Sequence, residues 1–85
     1  MVVNYTQDFI KDSKRLNIRQ KEKLEQRLKL FGHDQFNPIL NNHSLHGKYL
    51  GYRSINITGD LRAIYIKEGD DVTFVAIDSH SSLYG

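Results

Sequence analysis

Hydrophobic and polar positions change period along this chain in a way that divides it into a helical front and a β-rich back. Met1 to Tyr5 alternates, with Val3 and Tyr5 on one side, which predicts a short strand. Thr6 then offers a hydroxyl cap, and Gln7 to Leu16 reads as a first helix with a thin apolar face. Phe9, Ile10 and Leu16 are its buried candidates, while Lys11, Lys14 and Arg15 fill the remaining surface, so it needs a partner to stay folded. Asn17 caps a second predicted helix over Ile18 to Phe31, where Leu24, Leu28 and Phe31 recur at helical spacing and Gly32 is the expected stop.

From His33 to Leu50 the pattern is polar and turn-rich, with Asn37-Pro38, Asn41-Asn42 and Gly47 as breakers, which predicts a connecting segment. Three β-rich runs follow: Tyr52 to Ile57, Leu61 to Lys67, and Val72 to Ile77. Thr58-Gly59-Asp60 and Glu68-Gly69-Asp70-Asp71 separate them, with hairpin lengths and hairpin residues. The expected architecture is one α+β domain over residues 1–85, ordered β-α-α-β-β-β, with the two-helix hairpin packed on a twisted antiparallel four-stranded sheet. Within it Arg53, Ile55 and Ile57 share one side, Tyr52, Ser54 and Asn56 share the other, and Arg62 alternates against Leu61 and Ala63. A sheet face bearing Arg, Asn and Tyr suits a ligand surface, because a core face normally excludes such groups.

Composition narrows the classes. The 85 residues are 39% hydrophobic and 26% charged, with one Pro, enough to fold a single small core and too few for two lobes. The absence of Cys excludes a disulfide framework, a Cys-ligated zinc site and a thiol nucleophile. No apolar run approaches the roughly 20 residues that span a bilayer, and no basic-then-apolar leader opens the chain, so a cytoplasmic protein with no membrane partner is expected. The net charge of +2 conceals an asymmetry: residues 1–31 carry eight Lys or Arg against four acids, and residues 32–85 carry four against six. The basic outer face of the helices is ordinarily a solvated surface, but it also suits a polyanionic partner.

Among residue types that carry chemistry, His43 and His46 form H-x-x-H without a third ligand, so neither a metal nor a cofactor is expected, and His46 is read as a surface histidine. Asp78, Ser79 and His80 contain the members of a hydrolase triad, but adjacent residues of an extended segment point to opposite sides and cannot form the relay. Asp60 at a strand entry is suited to turn formation. Arg62 differs, because a charge inside Leu61-Arg62-Ala63-Ile64-Tyr65-Ile66 is costly unless it faces a groove or a partner. An Arg fixed on a strand with histidines from two flanking segments supplies a base, an acid and a positive charge for phosphodiester cleavage. RNA carries its own nucleophile in the 2′-OH, so that chemistry needs neither a metal nor a protein nucleophile.

Four ordered segments then resemble the RelE/ParE toxin superfamily, in particular its YafQ branch. They are His43-Ser44-Leu45-His46-Gly47, Gly51-Tyr52-Arg53-Ser54, Gly59-Asp60-Leu61-Arg62-Ala63-Ile64-Tyr65 and Ser79-His80-Ser81-Ser82-Leu83-Tyr84-Gly85. The resemblance implies a toxin of a bacterial type II toxin–antitoxin pair that cleaves mRNA in the ribosomal A site, leaving a 2′,3′-cyclic phosphate and a 5′-OH. It further implies a cognate antitoxin partner, with operator DNA reached only through that antitoxin. Residue by residue, it assigns His80 and His43 to proton transfer, with His80 preferred as the base, and Arg62 to the phosphate. Asp60 would orient a catalytic group and Tyr84 would stack or position a base. Arg53, Lys48, Lys21 and Arg27 are the expected RNA contacts, the helical ones on ribosomal RNA. The chain departs from the branch at Leu61, where an aromatic is common, at Asn56, where a His is frequent, and at Ala76, where an Arg is frequent. A ParE-like toxin that binds DNA gyrase without cutting RNA is the alternative, and His43 and His80 flanking Arg62 favour the nuclease.

Overall fold

The computed structural model describes residues 1–79. Strand β1 (Val2–Tyr5) leads into helix α1 (Gln7–Lys14), and helix α2 (Ile18–His33) completes the helical hairpin. Strands β2 (His43–Ser44), β3 (Arg53–Asn56), β4 (Leu61–Glu68) and β5 (Asp71–Ser79) follow, with 3-10 turns at Pro38–Leu40 and Gly47–Tyr49. The helices begin where their caps dictate. Thr6 Oγ1 accepts the Phe9 N–H at 3.2 Å, and Asn17 exchanges reciprocal bonds with Gln20, each 2.9 Å. Gly32 does not stop α2, which continues to His33, because Gly terminates a helix only by turning left-handed and Gly32 does not do so.

The strands form one mixed sheet in the order β1-β5-β4-β3-β2. The α+β class with two helices on a sheet is as expected, but there are five strands rather than four, and the sheet is not wholly antiparallel. β1 runs parallel to β5, a relation that alternation within Val2–Tyr5 cannot encode because it carries no direction. β2 is a two-residue strand inside the segment expected to be a connection, too short and too polar to show a period.

Between β4 and β5 the register shifts at Ile64 and Tyr65: Tyr65 opposes Phe74 and Ile64 opposes Ala76, so Val75 is an extra residue in β5. Val72, Phe74 and Ile77 therefore face the helices, and Ala76 and Asp78 face the other way. Helix α1 holds this bulge. The Thr6 N–H donates to the Phe74 carbonyl at 3.0 Å, Thr6 Oγ1 donates to the Val75 carbonyl at 3.2 Å, and Asp12 Oδ2 accepts the Ile77 N–H at 3.1 Å.

The core between helices and sheet is centred on Phe74. Its ring lies 5.3 Å from Phe31, 5.3 Å from Tyr65, 5.5 Å from Phe9 and 6.0 Å from Tyr5, so one side chain touches both helices and both neighbouring strands. Leu24, Leu40, Ile55, Ile57 and Ala63 extend the cluster, while Ile10, expected inside, is exposed. The buried Tyr65 hydroxyl accepts from Asn42 Nδ2 at 2.7 Å, which removes the penalty for an unsatisfied polar group.

Two stability measurements follow from this arrangement. Phe74→Ala should cost about 3–5 kcal/mol in urea denaturation, enough to unfold much of the population of so small a domain. Asp12→Ala should cost about 1.5–3 kcal/mol, because the Ile77 N–H loses a charged acceptor, and Asp12→Asn should recover part of it. A loss under about 0.5 kcal/mol for Asp12→Ala would show that the two Thr6 bonds hold the bulge without Asp12.

Candidate functional site

The sheet face turned away from the helices carries two aligned rows of side chains, because directly opposed residues of antiparallel strands project to the same side. In one row Asn56 of β3 opposes Arg62 of β4, which opposes Asp78 of β5. In the next row His43, Ser54, Ile64 and Ala76 stand in register across β2, β3, β4 and β5. The centre of this face is enclosed rather than open: Ser54 and Ile64 are fully buried and Arg62 is 8% exposed. Its margins at His43, Asn56, Ala76 and Asp78 are half-buried, so a ligand meets those positions first.

Arg62 is held by the turn preceding it. Nη1 donates to the carbonyls of Thr58, Gly59 and Leu61 at 3.3, 3.4 and 3.3 Å, long bonds that spread the charge over three backbone dipoles. The Thr58 hydroxyl shapes that turn by accepting the Asp60 and Leu61 N–H groups at 3.3 and 3.0 Å. Asp60 is thus relieved of the turn-forming work that the residue pattern suggested for it, and stands exposed two residues from Arg62.

His43 is oriented by its own chain. Asn41 adopts a left-handed conformation, φ 45°, and its carbonyl lies 2.7 Å from His43 Nδ1. A carbonyl only accepts, so Nδ1 carries the proton and Nε2 is the basic nitrogen of the neutral ring. Next to it, Asn42 Oδ1 accepts from Arg53 Nε at 2.8 Å while its amide donates to the Gln35 carbonyl and to Tyr65. Asn42 is the residue that sequence reasoning missed: the Asn-Asn pair reads as a chain breaker, and nothing local shows that one of them bridges the core to β3.

The remaining expected residues are dispersed. Arg53 lies on the helix side of the sheet, with its guanidinium on Asn42 and 5.5 Å from the Phe36 ring. Lys48 is exposed on the 3-10 turn Gly47–Tyr49, 5.3 Å from the Tyr49 ring. Lys21 is exposed on α2 and Arg27 is half-buried on the same helix. His80 and Tyr84 lie outside the described residues; Ser79, which precedes His80, is paired with Leu61 next to Arg62.

At the Asp78 end of the first row a cavity of about 590 Å³ opens between α1 and β5, lined by Lys11, Asp12, Arg15, Tyr49 and Asp78 among others. Asp78, excluded from a triad with its chain neighbours, stands in register with Arg62 across the strands, and its Oδ1 accepts the Ser79 N–H at 2.8 Å. Among the described residues no group of three or more His, Asp or Glu is arranged to hold a metal ion, and no helix is long and apolar enough to cross a membrane.

The chain is similar to YafQ from E. coli strain BL21(DE3), with 23% identity, a TM-score of 0.81, and coverage of 98% of this chain and 97% of that one. In the E. coli DinJ-YafQ toxin–antitoxin complex the corresponding values are 24%, 0.77, 98% and 96%. The YoeB/ParE toxin from Agrobacterium tumefaciens is 22% identical with a TM-score of 0.75, covering 94% of this chain and 99% of that one. No curated protein sequence matches significantly. The family described as "Bacterial toxin of type II toxin-antitoxin system, YafQ" matches residues 1–85, the whole chain. A match of that extent, on a fold shared with the E. coli protein over nearly its full length, means that the chain belongs to the YafQ family of type II toxin–antitoxin toxins.

Proposed function

We propose that this toxin is an endoribonuclease that cleaves mRNA in the ribosomal A site and so stops translation. The observation that carries the reading is the alignment of Asn56, Arg62 and Asp78 across three strands, one row from His43, on the face opposite the helices. A cation fixed in a buried, low-dielectric setting stabilises charge developing on a phosphate far better than one in water.

In the proposed reaction a base takes the proton of the ribose 2′-OH, and O2′ bonds to the adjacent phosphorus as the P–O5′ bond breaks. An acid protonates the departing 5′ oxygen, leaving a 2′,3′-cyclic phosphate and a 5′-OH. The nucleophile belongs to the substrate, so no step routes through a metal or cofactor. His80 is assigned as the base and His43 as the acid, a role it fills as the imidazolium, giving up a proton on Nε2 while keeping the one that Nδ1 donates to the Asn41 carbonyl. Arg62 neutralises the phosphate, Asp60 orients a catalytic group and Tyr84 stacks a base. Lys21, Arg27 and Lys48 contact RNA phosphates, and Arg53 adds its charge while holding the β2 end through Asn42.

The partner that neutralises the toxin is a cognate antitoxin, as DinJ accompanies YafQ in the E. coli complex; operator DNA is bound through that antitoxin only. The site of action is the cytoplasm, where ribosomes are. An mRNA substrate also gives the uneven charge a purpose, since the basic surface of α1 and α2 faces a highly anionic ribosome.

Reconstituted translation with 5′-end mapping tests the reaction. The native chain should cut at A-site codons, and Arg62→Ala should slow cleavage about 10²–10³-fold, as for loss of a group that stabilises transition-state charge. His80→Ala and His43→Ala should each slow it about 10²–10⁴-fold. Intact mRNA alongside growth arrest would reject the nuclease and move the search to DNA gyrase. Ribosome affinity supplies a second measurement: replacing Lys14, Lys21 and Lys29 by Gln should flatten the dependence of log K on log salt by about one unit for each phosphate no longer neutralised. An unchanged slope would place the ribosome-binding surface elsewhere.

A further inference from the structure

At the Asn56 end of the first row, opposite the Asp78 end, lies a second cavity of about 320 Å³ formed by Lys23 and Arg27 of α2, Ile39, and the stretch Asn56 to Gly59. Its charge has one sign, because both ionisable side chains in its wall are cations. Two polar atoms of lining residues, Arg27 Nε and Asn56 Oδ1, are buried and have no hydrogen-bond partner among the described residues. One is a donor and the other an acceptor, so a single ligand satisfying both must offer an acceptor oxygen and a hydroxyl or amine, and the two cations in the wall favour an anionic one. Buried groups of this kind are costly unless something pairs with them. The cavity borders the site, since Asn56 is paired with Arg62 and the Arg62 guanidinium donates to the carbonyls of Thr58 and Gly59 in the cavity wall.

We propose that this cavity is a ribonucleotide subsite. Lys23 and Arg27 bind a phosphate next to the one held at Arg62, and Asn56 Oδ1 accepts a hydrogen bond from the ribose 2′-OH of that flanking nucleotide. The flanking position rests on the nuclease reading above; the ribonucleotide chemistry rests on the cavity itself. The 2′-OH is the group by which a protein distinguishes RNA from DNA. The assignment accounts for both unpaired atoms.

Titration of the full chain with adenosine 3′,5′-bisphosphate and its 2′-deoxy analogue, followed by nitrogen-15 NMR, tests this. The ribose form should shift the Gly59 amide and Arg27 Nε–H signals saturably and bind about tenfold more tightly than the deoxy form. Arg27→Gln should weaken both about tenfold, and Asn56→Ala should erase the difference between them. Equal affinities in the unaltered chain, shifts confined to other residues, or no effect of Arg27→Gln would each overturn the subsite. The ribose-to-deoxyribose ratio needs no substitution, so a variant that fails to fold does not spoil the test. Cleavage of mRNA together with equal affinities would discard the subsite and keep the nuclease. A ribose preference with mRNA left intact would do the reverse.

Discussion

Three hydrogen bonds between α1, with its cap Thr6, and β5 hold an extra residue in the strand, and both faces of the sheet depend on them. Thr6 engages the carbonyls of Phe74 and Val75, and Asp12 takes the N–H of Ile77. Strict alternation would send Val72, Phe74, Ala76 and Asp78 to one side. With Val75 bulged out, Ile77 joins Val72 and Phe74 in the core while Ala76 and Asp78 turn to the opposite face beside Ile64 and Arg62. The bulge thus keeps a carboxylate out of the core and sets it opposite the arginine. The same bonds satisfy the edge of β5 beyond Tyr5, where parallel pairing with β1 ends, and an unpaired edge there would be open to association with other chains.

On the helix side, a domain of this size has little apolar area to spare, and it concentrates that area around one ring. Phe74 touches Tyr5, Phe9, Phe31 and Tyr65, so β1, both helices and β4 share a single contact point. Asn42 closes the far end by bridging the Tyr65 hydroxyl, the Gln35 carbonyl and the Arg53 guanidinium. This bridge couples core to site, since Asn42 immediately precedes His43 and its bonds fix where β2 meets β3.

The site follows from that division of labour. Family membership accounts for a toxin on this scaffold, and the mixed sheet offers a face in which a buried arginine is steadied by three backbone carbonyls. The half-buried margins of that face end in two cavities of different character, one with both signs of charge near Asp78 and one with cations alone near Asn56. A strand of RNA laid across the sheet would therefore meet a different environment on each side of Arg62.

The sequence by itself determined the order of the two helices and four of the five strands, and both helix starts, because caps, helical spacing and hairpin turns are local properties. It also singled out Arg62, since a charge in the middle of an apolar strand is conspicuous without coordinates. The separation of Ile55 from Asn56 across β3 was legible for the same reason, as alternation is written into adjacent residues. Only the tertiary structure decided the parallel direction of β1, the two-residue β2 at His43, the bulge at Val75 and the bridging role of Asn42. Each of these depends on a partner far away in sequence. The alignment of Asn56, Arg62 and Asp78 belongs to the same class, because register is a relation between strands and no single strand contains it.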